Sequence, residues 1–166
     1  FGIAMTTFTG QNVGAKKLER VEEGTRQGLA IAVGVSIVIT ITILTFGRYL
    51  MEIFTNTAEL VDLSMHMMRI LAVGYVAMAV TQVLSGVMRG AGDTMTPMWI
   101  SLITTIFLRV PVAYGIAYLT RSPEYPNGRP ESIFISLLVA WVSGAIITFI
   151  FYRKGNWKEK ALINEL

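Results

Sequence analysis

The sequence predicts an all-α integral membrane protein with about four complete transmembrane helices and the end of a fifth. Composition and charge spacing predict this class. Hydrophobic residues fill 53% of the 166 positions before glycine is counted, and charged residues only 15%, against about 25% in ordinary globular chains. The mean hydropathy is +0.57. Four stretches of the length that crosses a bilayer, about 20 residues, carry at most one charge each.

The first segments are assigned by their length and charge. Residues 1–13 are too short to span a bilayer alone, so they are predicted to be the end of a transmembrane helix. Residues 14–27 are charged and are predicted to be a cytoplasmic segment that forms a short surface helix. An uncharged run rich in Ile and Val then predicts a transmembrane helix over residues 28–47.

The next two spans carry local signals as well. A transmembrane helix is predicted over residues 57–88, and Asn56 followed by Glu59 is the expected cap at its start. The following span covers residues 94–120. It is expected to kink near Pro111, because proline lacks the N–H that would bond to the preceding turn.

The last part of the chain alternates between loop and span. Residues 121–132 contain three of the five prolines and are predicted to be an extracellular loop. Residues 133–152 form the fourth uncharged span. The segment 153–166 is predicted to be a basic cytoplasmic tail, in which Trp157 is expected to be an interfacial anchor.

Basic residues predict the orientation, because cytoplasmic loops carry an excess of Lys and Arg. Nine of them fall on the side that includes the tail, and four on the other side. We therefore expect a multi-pass protein of the cell (plasma) membrane with a cytoplasmic C-terminus. The 14 Lys and Arg residues form no long basic stripe, so nucleic acid is not an expected partner.

Arg109 is the charged residue within a span. It lies about 22 Å from the cytoplasmic end of its helix, where a charge costs about 2.5–3.5 kcal/mol on insertion scales. Either it belongs to a solute or ion pathway, or it reaches the outer interface or ties helices together. Further pathway candidates are the polar and aromatic residues Tyr75, Thr81, Gln82, Ser85, Thr104, Thr105 and Tyr114. Such side chains more commonly hold helices together.

Signals for other chemistry are absent from the sequence. There is no cysteine, and no HExxH, GxSxG or phosphate-binding GxxxxGK[ST] motif occurs. His66 has no nearby residue in the sequence with which to form a metal site or a catalytic dyad. We therefore expect that the protein is not an enzyme and that it binds no metal and no cofactor.

Four short motifs, in this order, carry a family resemblance. Gly10–Ala15 (GQNVGA) ends one helix, the turn Ile53–Asn56 follows, Arg89–Thr94 (RGAGDT) ends another, and Arg109–Pro111 lies in the next span. Together they resemble the multidrug and toxic compound extrusion (MATE) family over essentially the whole chain. Each motif alone is weak, but the ordered set is specific.

The resemblance implies a function and a place within a larger protein. Members of that family have twelve membrane helices in two six-helix halves, and exchange H⁺ or Na⁺ for organic, often cationic, compounds by alternating access. This chain would be part of the second half, with the N-terminal half of the same polypeptide missing. Its other expected partners are the lipid bilayer and small organic substrates. No Asp or Glu occurs in residues 70–88, which favours a DinF-like branch over a NorM-like one.

The glycine-containing motifs are expected to work structurally. Gly90 and Gly92 permit a tight reversal, and Asp93 or Thr94 can cap the next helix. The GxxxG pairs Gly10–Gly14 and Gly86–Gly90 predict close backbone approach rather than dimer faces. The residues assigned to motif turns or hinges are Gln11, Asn12, Gly14, Arg89, Gly90, Gly92, Asp93, Thr94 and Pro111.

Two alternatives to the antiporter stay open at this point. A lipid-linked oligosaccharide flippase shares the helix layout, but would be expected to carry more charge facing its cavity. A non-transporting membrane subunit that assembles other proteins would be complete at four spans.

Overall fold

The computed structural model describes residues 1–163, and the side chains of residues 1–161. Throughout that range the regular structure is helical. In chain order the elements are α1 (Gly2–Gly14), α2 (Leu18–Phe54), α3 (Ala58–Gly90), α4 (Met95–Leu102), a π-helical segment (Ile103–Leu108), α5 (Arg109–Leu119), α6 (Glu131–Lys154) and α7 (Asn156–Ile163).

Four helical stretches of the described chain are long and apolar enough to cross a membrane. They are Leu18–Phe54, Ala58–Gly90, Met95–Leu119 and Glu131–Lys154. The third consists of α4, the π-helical segment and α5 in succession. The predicted all-α membrane fold is confirmed.

Helix α3 lies at the centre of the bundle and packs against α1, α2 and α6. Its six consecutive residues Val83–Met88 are all buried, which requires neighbours on every side of that stretch. Helix α6 also packs against α4, the π-helical segment and α5. The bundle therefore places α3 and α6 between the outer helices α2 and α5.

Two glycines allow α1 to approach α3 closely. A Cβ added at Gly86 would lie 2.4 Å from the carbonyl oxygen of Gly2, and one added at Gly90 would lie 2.4 Å from that of Thr6. The Thr6 hydroxyl donates a 3.1 Å hydrogen bond to the Gly86 carbonyl across this contact. The predicted close approach is confirmed at Gly86 and Gly90. It is wrong at Gly14, where an added Cβ would meet nothing within 4 Å.

Helix α2 is one continuous helix of 37 residues, so the short helix expected within residues 14–27 is the first part of the spanning helix and not a surface helix of its own. At 1.5 Å per residue α2 is about 55 Å long. The hydrocarbon core of a bilayer is about 30 Å thick, so the helix extends well beyond it. Its charged first turns stay helical because their inner face, including Val21 and Thr25, is buried in the bundle.

The cap predicted for the second span is wrong. Helix α3 begins at Ala58 with Thr57 as its first flanking residue, and no side chain caps it. Neither Asn56 nor Glu59 makes the expected bonds. The turn is held instead by Thr55, whose hydroxyl accepts a 3.2 Å hydrogen bond from the Thr57 N–H.

The third span departs from regular α-helix geometry over the residues that precede Pro111, and not only at the expected kink near Pro111. Residues 103–108 form a π-helical segment, in which the Arg109 N–H bonds to the Thr104 carbonyl, five residues back. Pro111 has no N–H, and its ring would clash with the carbonyl of Phe107 in a regular helix. A widened turn just before the proline relieves that clash.

The tail folds back onto the bundle. Gly155 adopts a left-handed conformation with φ 80°, and α7 follows at once. Trp157 is 1% exposed and belongs to the same buried cluster as Val21 and Val87. Its ring stacks on Tyr152 at 5.4 Å between centroids. The expected role of Trp157 as a lipid-interface anchor is therefore wrong. Residues 164–166 of the predicted tail lie outside the described range.

Candidate functional site

A cavity of about 210 Å³ lies between α3, α6 and the first part of the third span. We call it the polar cavity. Helix α3 lines it with Met78, Thr81, Gln82, Ser85 and Arg89. These positions recur every three or four residues, so they lie along one face of the helix.

The opposite walls are also polar. Ser101 lies on α4, and Thr104 and Thr105 lie on the π-helical segment. Helix α6 contributes Trp141 and Thr148. The irregular turn caused by Pro111 therefore forms part of the cavity wall.

The threonine hydroxyls present acceptors to the cavity. Thr81 donates its proton to the Ala77 carbonyl at 3.0 Å, and Thr104 to the Ile100 carbonyl at 2.9 Å. A hydroxyl that has donated its proton keeps its lone pairs for a cation or another donor. The buried hydroxyl of Thr148 has no hydrogen-bond partner in the described structure, which leaves a further polar atom for a ligand or water.

Arg89 is the one charged side chain among the described residues that line the polar cavity. No carboxylate lies on its wall, and the described residues hold no cluster of three or more His, Cys, Asp or Glu that could bind a metal. A cation in this cavity would therefore contact hydroxyl and amide oxygens, and its charge would need a carboxylate from elsewhere.

A second cavity of about 420 Å³, which we call the aromatic cavity, adjoins the polar one. It includes Tyr75 and shares Met78, Gln82 and Arg89 with the polar cavity. The Tyr75 ring lies 6.0 Å from the ring of Trp141, centroid to centroid. Helix α3 thus presents one continuous surface to both cavities, with aromatic rings beside amide and hydroxyl groups.

The two cavities bring together six of the residues predicted for a pathway. These are Tyr75, Thr81, Gln82, Ser85, Thr104 and Thr105. Arg109 and Tyr114 line neither of them. Arg109 is half-buried at the first position of α5 and has no ion-pair partner among the described residues, and Tyr114 is exposed.

The polar cavity also has lining residues that were not predicted to belong to a pathway, among them Arg89, Trp141 and Thr148. Arg89 was assigned only to a turn, although it lies one turn beyond Ser85 on the same helical face. Trp141 and Thr148 lie in the fourth span, where an aromatic ring suits the protein core as well as a cation site. Thr148 is a polar residue in an apolar run, and this is a signal that could have found it.

The RGAGDT turn ends α3 with a Schellman motif. The Asp93 N–H bonds to the Met88 carbonyl at 2.8 Å, and the Gly92 N–H to the Arg89 carbonyl at 3.0 Å. Gly92 has φ 90°, a conformation that favours glycine. The Asp93 carboxylate then accepts a 3.3 Å bond from the Thr96 N–H and so caps α4.

The GQNVGA turn ends α1 in the same way. The Lys17 N–H bonds to the Asn12 carbonyl and the Lys16 N–H to the Val13 carbonyl, each at 2.8 Å. The Gln11 carbonyl accepts the Ala15 N–H at 3.1 Å. The two sequence motifs are therefore structurally equivalent helix ends.

Asp93 is also held by the tail. Its carboxylate is 2% exposed and accepts a 2.6 Å hydrogen bond from the Lys160 ammonium. Burial raises the pKa of Asp93, but the hydrogen bonds from Lys160 and Thr96 and the positive charge of Lys160 outweigh it. The pKa of this carboxyl lies below its ordinary value, so the group stays ionised.

Four membrane-length helices, three of which line a polar cavity, define a multi-pass membrane protein. The chain belongs to the MatE family, whose model matches residues 1–115.

Several curated proteins are similar over nearly the whole chain. A probable multidrug resistance protein NorM from Thermotoga maritima is 26% identical over 98% of this chain and 34% of its own length. The probable multidrug resistance proteins YoeA and YpnP of Bacillus subtilis are 25% and 27% identical over 97% and 99% of this chain. The chain spans about a third of the length of these relatives.

Proposed function

We propose that the chain is part of a secondary active multidrug efflux antiporter of the plasma membrane, with its C-terminus in the cytoplasm. The protein would exchange H⁺ or Na⁺ for organic, often cationic, compounds by alternating access. The observation that carries the proposal is an acceptor-rich cavity inside the membrane helices of a MatE-family chain. Its similarity to proteins named as probable multidrug resistance proteins supports it.

The cavity surfaces suit a varied set of organic cations. The rings of Tyr75 and Trp141 offer π faces to a cation or an apolar body, and Thr81, Thr104 and Gln82 offer oxygen acceptors. The polar cavity has a volume of about 210 Å³. Typical ligand pockets have volumes of about 300–1,000 Å³, so the polar cavity alone is too small. A complete substrate site would therefore also need the aromatic cavity and the facing N-terminal half.

The absence of a carboxylate from the wall of the polar cavity bears on coupling. A proton- or sodium-coupled exchanger needs a group whose charge is neutralised by the coupling ion. We infer that this acidic residue lies in the N-terminal half, as in a DinF-like branch. Transport then requires no covalent step and no cofactor, only the coupling ion.

The RGAGDT turn, in this proposal, is a hinge between α3 and α4. It joins a helix that lines the polar cavity to the irregular third span, so a rotation here would change the cavity's shape. Because φ at Gly92 is 90°, a Gly92→Val variant would strain the turn itself. Gly92→Val should therefore lower transport, and wild-type transport by this variant at normal protein levels would contradict the hinge.

The efflux proposal is tested in a drug-sensitive bacterial host that expresses the full-length protein. The double variant Thr81→Val/Thr104→Val removes two acceptor oxygens with little change in volume. Thr42→Val is the matched control, because Thr42 bonds to its own helix at 2.9 Å but is exposed on α2. We expect the double variant to lower efflux of organic cations about fivefold or more, and the control to leave it unchanged.

Two results would overturn the proposal. One is wild-type protein that reaches the membrane but exports no organic cation. The other is a double variant that transports as well as the Thr42→Val control at equal protein levels. The coupling ion is assigned separately, by imposing either an H⁺ or a Na⁺ gradient on proteoliposomes and measuring uptake.

A further inference from the structure

A third cavity, of about 470 Å³, lies outside the transport surfaces, between α2, α6 and α7. We call it the interfacial pocket. Its polar wall carries the cations Arg26, Arg153 and Lys158 and one anion, Glu22. Three positive side chains against one negative side chain give the wall a net positive charge, which favours an anion.

The pocket lies at one edge of the membrane-spanning bundle. Arg26 comes two residues before the uncharged run 28–47, and Arg153 comes directly after the uncharged run 133–152. Both cations therefore mark the depth at which hydrocarbon gives way to water. Lipid phosphates occupy that same depth.

The three cationic side chains differ in whether they already form an ion pair. Lys158 forms an ion pair with Glu22, which neutralises both charges. Arg26 and Arg153 have no ion-pair partner within the described part of the chain. Two guanidinium groups without a carboxylate partner then line one pocket, and that of Arg153 lies over the Phe149 ring, 6.0 Å from its centroid. Guanidinium groups bind phosphate in a bidentate manner.

The pocket continues into an apolar surface. Leu29 and Phe149 line it on the membrane side, each about one turn from its arginine. Phe149 is 47% exposed, and Ile146, one turn deeper on α6, is 55% exposed. This stripe would contact an acyl chain whose headgroup lies between the arginines.

We propose that the interfacial pocket binds an anionic phospholipid, with its phosphate between Arg26 and Arg153 and its acyl chain along Phe149 and Ile146. A free phosphate would satisfy the two arginines but would not use the apolar stripe. The lipid would bridge α2 and α6 beside the tail helix, and so would hold α7 against the bundle through Trp157, which also lines the pocket.

The test compares lipids on the full-length protein in a neutral detergent. Native mass spectrometry measures binding of phosphatidylglycerol, of phosphatidylcholine with the same acyl chains, and of glycerol phosphate. For the wild type we expect about tenfold tighter binding of phosphatidylglycerol than of phosphatidylcholine, and no comparable binding of glycerol phosphate. The double variant Arg26→Gln/Arg153→Gln should lose the preference.

The matched control is Arg20→Gln/Lys154→Gln. It removes the same charge from the same two helices, at exposed positions that do not line the interfacial pocket. It should keep the preference for phosphatidylglycerol. The single variants Arg26→Gln and Arg153→Gln should each lower the preference for phosphatidylglycerol about threefold. They test the proposal if the double variant does not fold.

Three outcomes would overturn the proposal. Equal losses in the two double variants would mean diffuse surface charge rather than a site. Equal binding of the two lipids by the wild type would mean no anion recognition. Glycerol phosphate binding as tightly as phosphatidylglycerol would mean an anion site that makes no use of the acyl chain.

Discussion

Lys160 of the tail helix donates a 2.6 Å hydrogen bond to the carboxylate of Asp93, which lies 67 residues earlier in the RGAGDT turn. The same carboxylate caps α4 through the Thr96 N–H. One buried oxygen, Oδ1 of Asp93, therefore joins the end of α3, the start of α4 and α7. Glu22 of α2 is joined to α7 by Lys158 in a second ion pair.

Removing the Lys160 charge should loosen this connection. A Lys160→Gln variant leaves the Asp93 carboxylate, which is 2% exposed, without its counter-ion. We expect a loss of about 1–3 kcal/mol in the free energy of unfolding, and faster hydrogen exchange in residues 156–163. Lys154→Gln is the control, because its ammonium lies over the Phe151 ring and has no carboxylate partner in the described chain. Equal losses in both variants would contradict the assignment.

Asp93 should also make stability depend on pH in acid. Its pKa is lower in the folded protein than the ordinary 3.8, so the unfolded chain binds more protons in that range, and stability rises with pH. The contribution is complete above pH 3.8 and is lost below it, as the pH falls through the folded-state pKa. The thermal midpoint of the wild type should therefore converge on that of Asp93→Asn below pH 3.8. A gap between the two midpoints that is constant with pH would contradict this.

Gly86 should tolerate no added methyl group. A Cβ there would lie 2.4 Å from the backbone carbonyl oxygen of Gly2, which cannot rotate away. Gly86→Ala should therefore separate α1 from α3 and cost about 1–3 kcal/mol. Gly34→Ala is the control, since nothing lies within 4 Å of its added Cβ and alanine favours a helix. Thermal unfolding measures both, and equal midpoints for the two variants would refute the close contact.

Trp157 should matter more for stability than an exposed tryptophan. Its side chain is fully buried, and its ring N–H donates a 3.1 Å bond to the Tyr152 carbonyl. Trp157→Ala should therefore cost about 3–5 kcal/mol. Trp99→Ala should cost clearly less, because Trp99 is exposed on α4. A larger effect at Trp99 would restore the view of Trp157 as a surface anchor.

The membrane spans could be predicted because the bilayer sets a minimum length for an uncharged run. Outside the hydrocarbon core no such minimum length applies, and a charged segment can form either a helix or a loop. The start of α2 at Leu18 was missed for this reason. Trp157 was misplaced because a tryptophan near a span suits either a lipid interface or a protein core, and only the fold-back at Gly155 decides between them.

The candidate site was predicted in part for a similar reason. The spacing of Thr81, Gln82 and Ser85 places them on one face of a helix, and this follows from sequence alone. Which helices that face meets depends on packing. Gly74 illustrates the point, since a Cβ there would lie 2.7 Å from the Trp141 ring, so the absence of a side chain lets α6 approach. No periodic pattern signals such a contact in advance.

The position of α7 also sets an order of events during synthesis. Trp157 and Ala161 complete a buried cluster whose other members, such as Val21 and Val87, belong to earlier helices. At about 5–20 residues per second, the ribosome makes Lys160 about 3–13 s after Asp93. During that interval the Asp93 carboxylate lacks its Lys160 partner, and the cluster lacks Trp157 and Ala161. The membrane helices can insert before then, but the helix ends that contact α7 become fully packed only when α7 has been made.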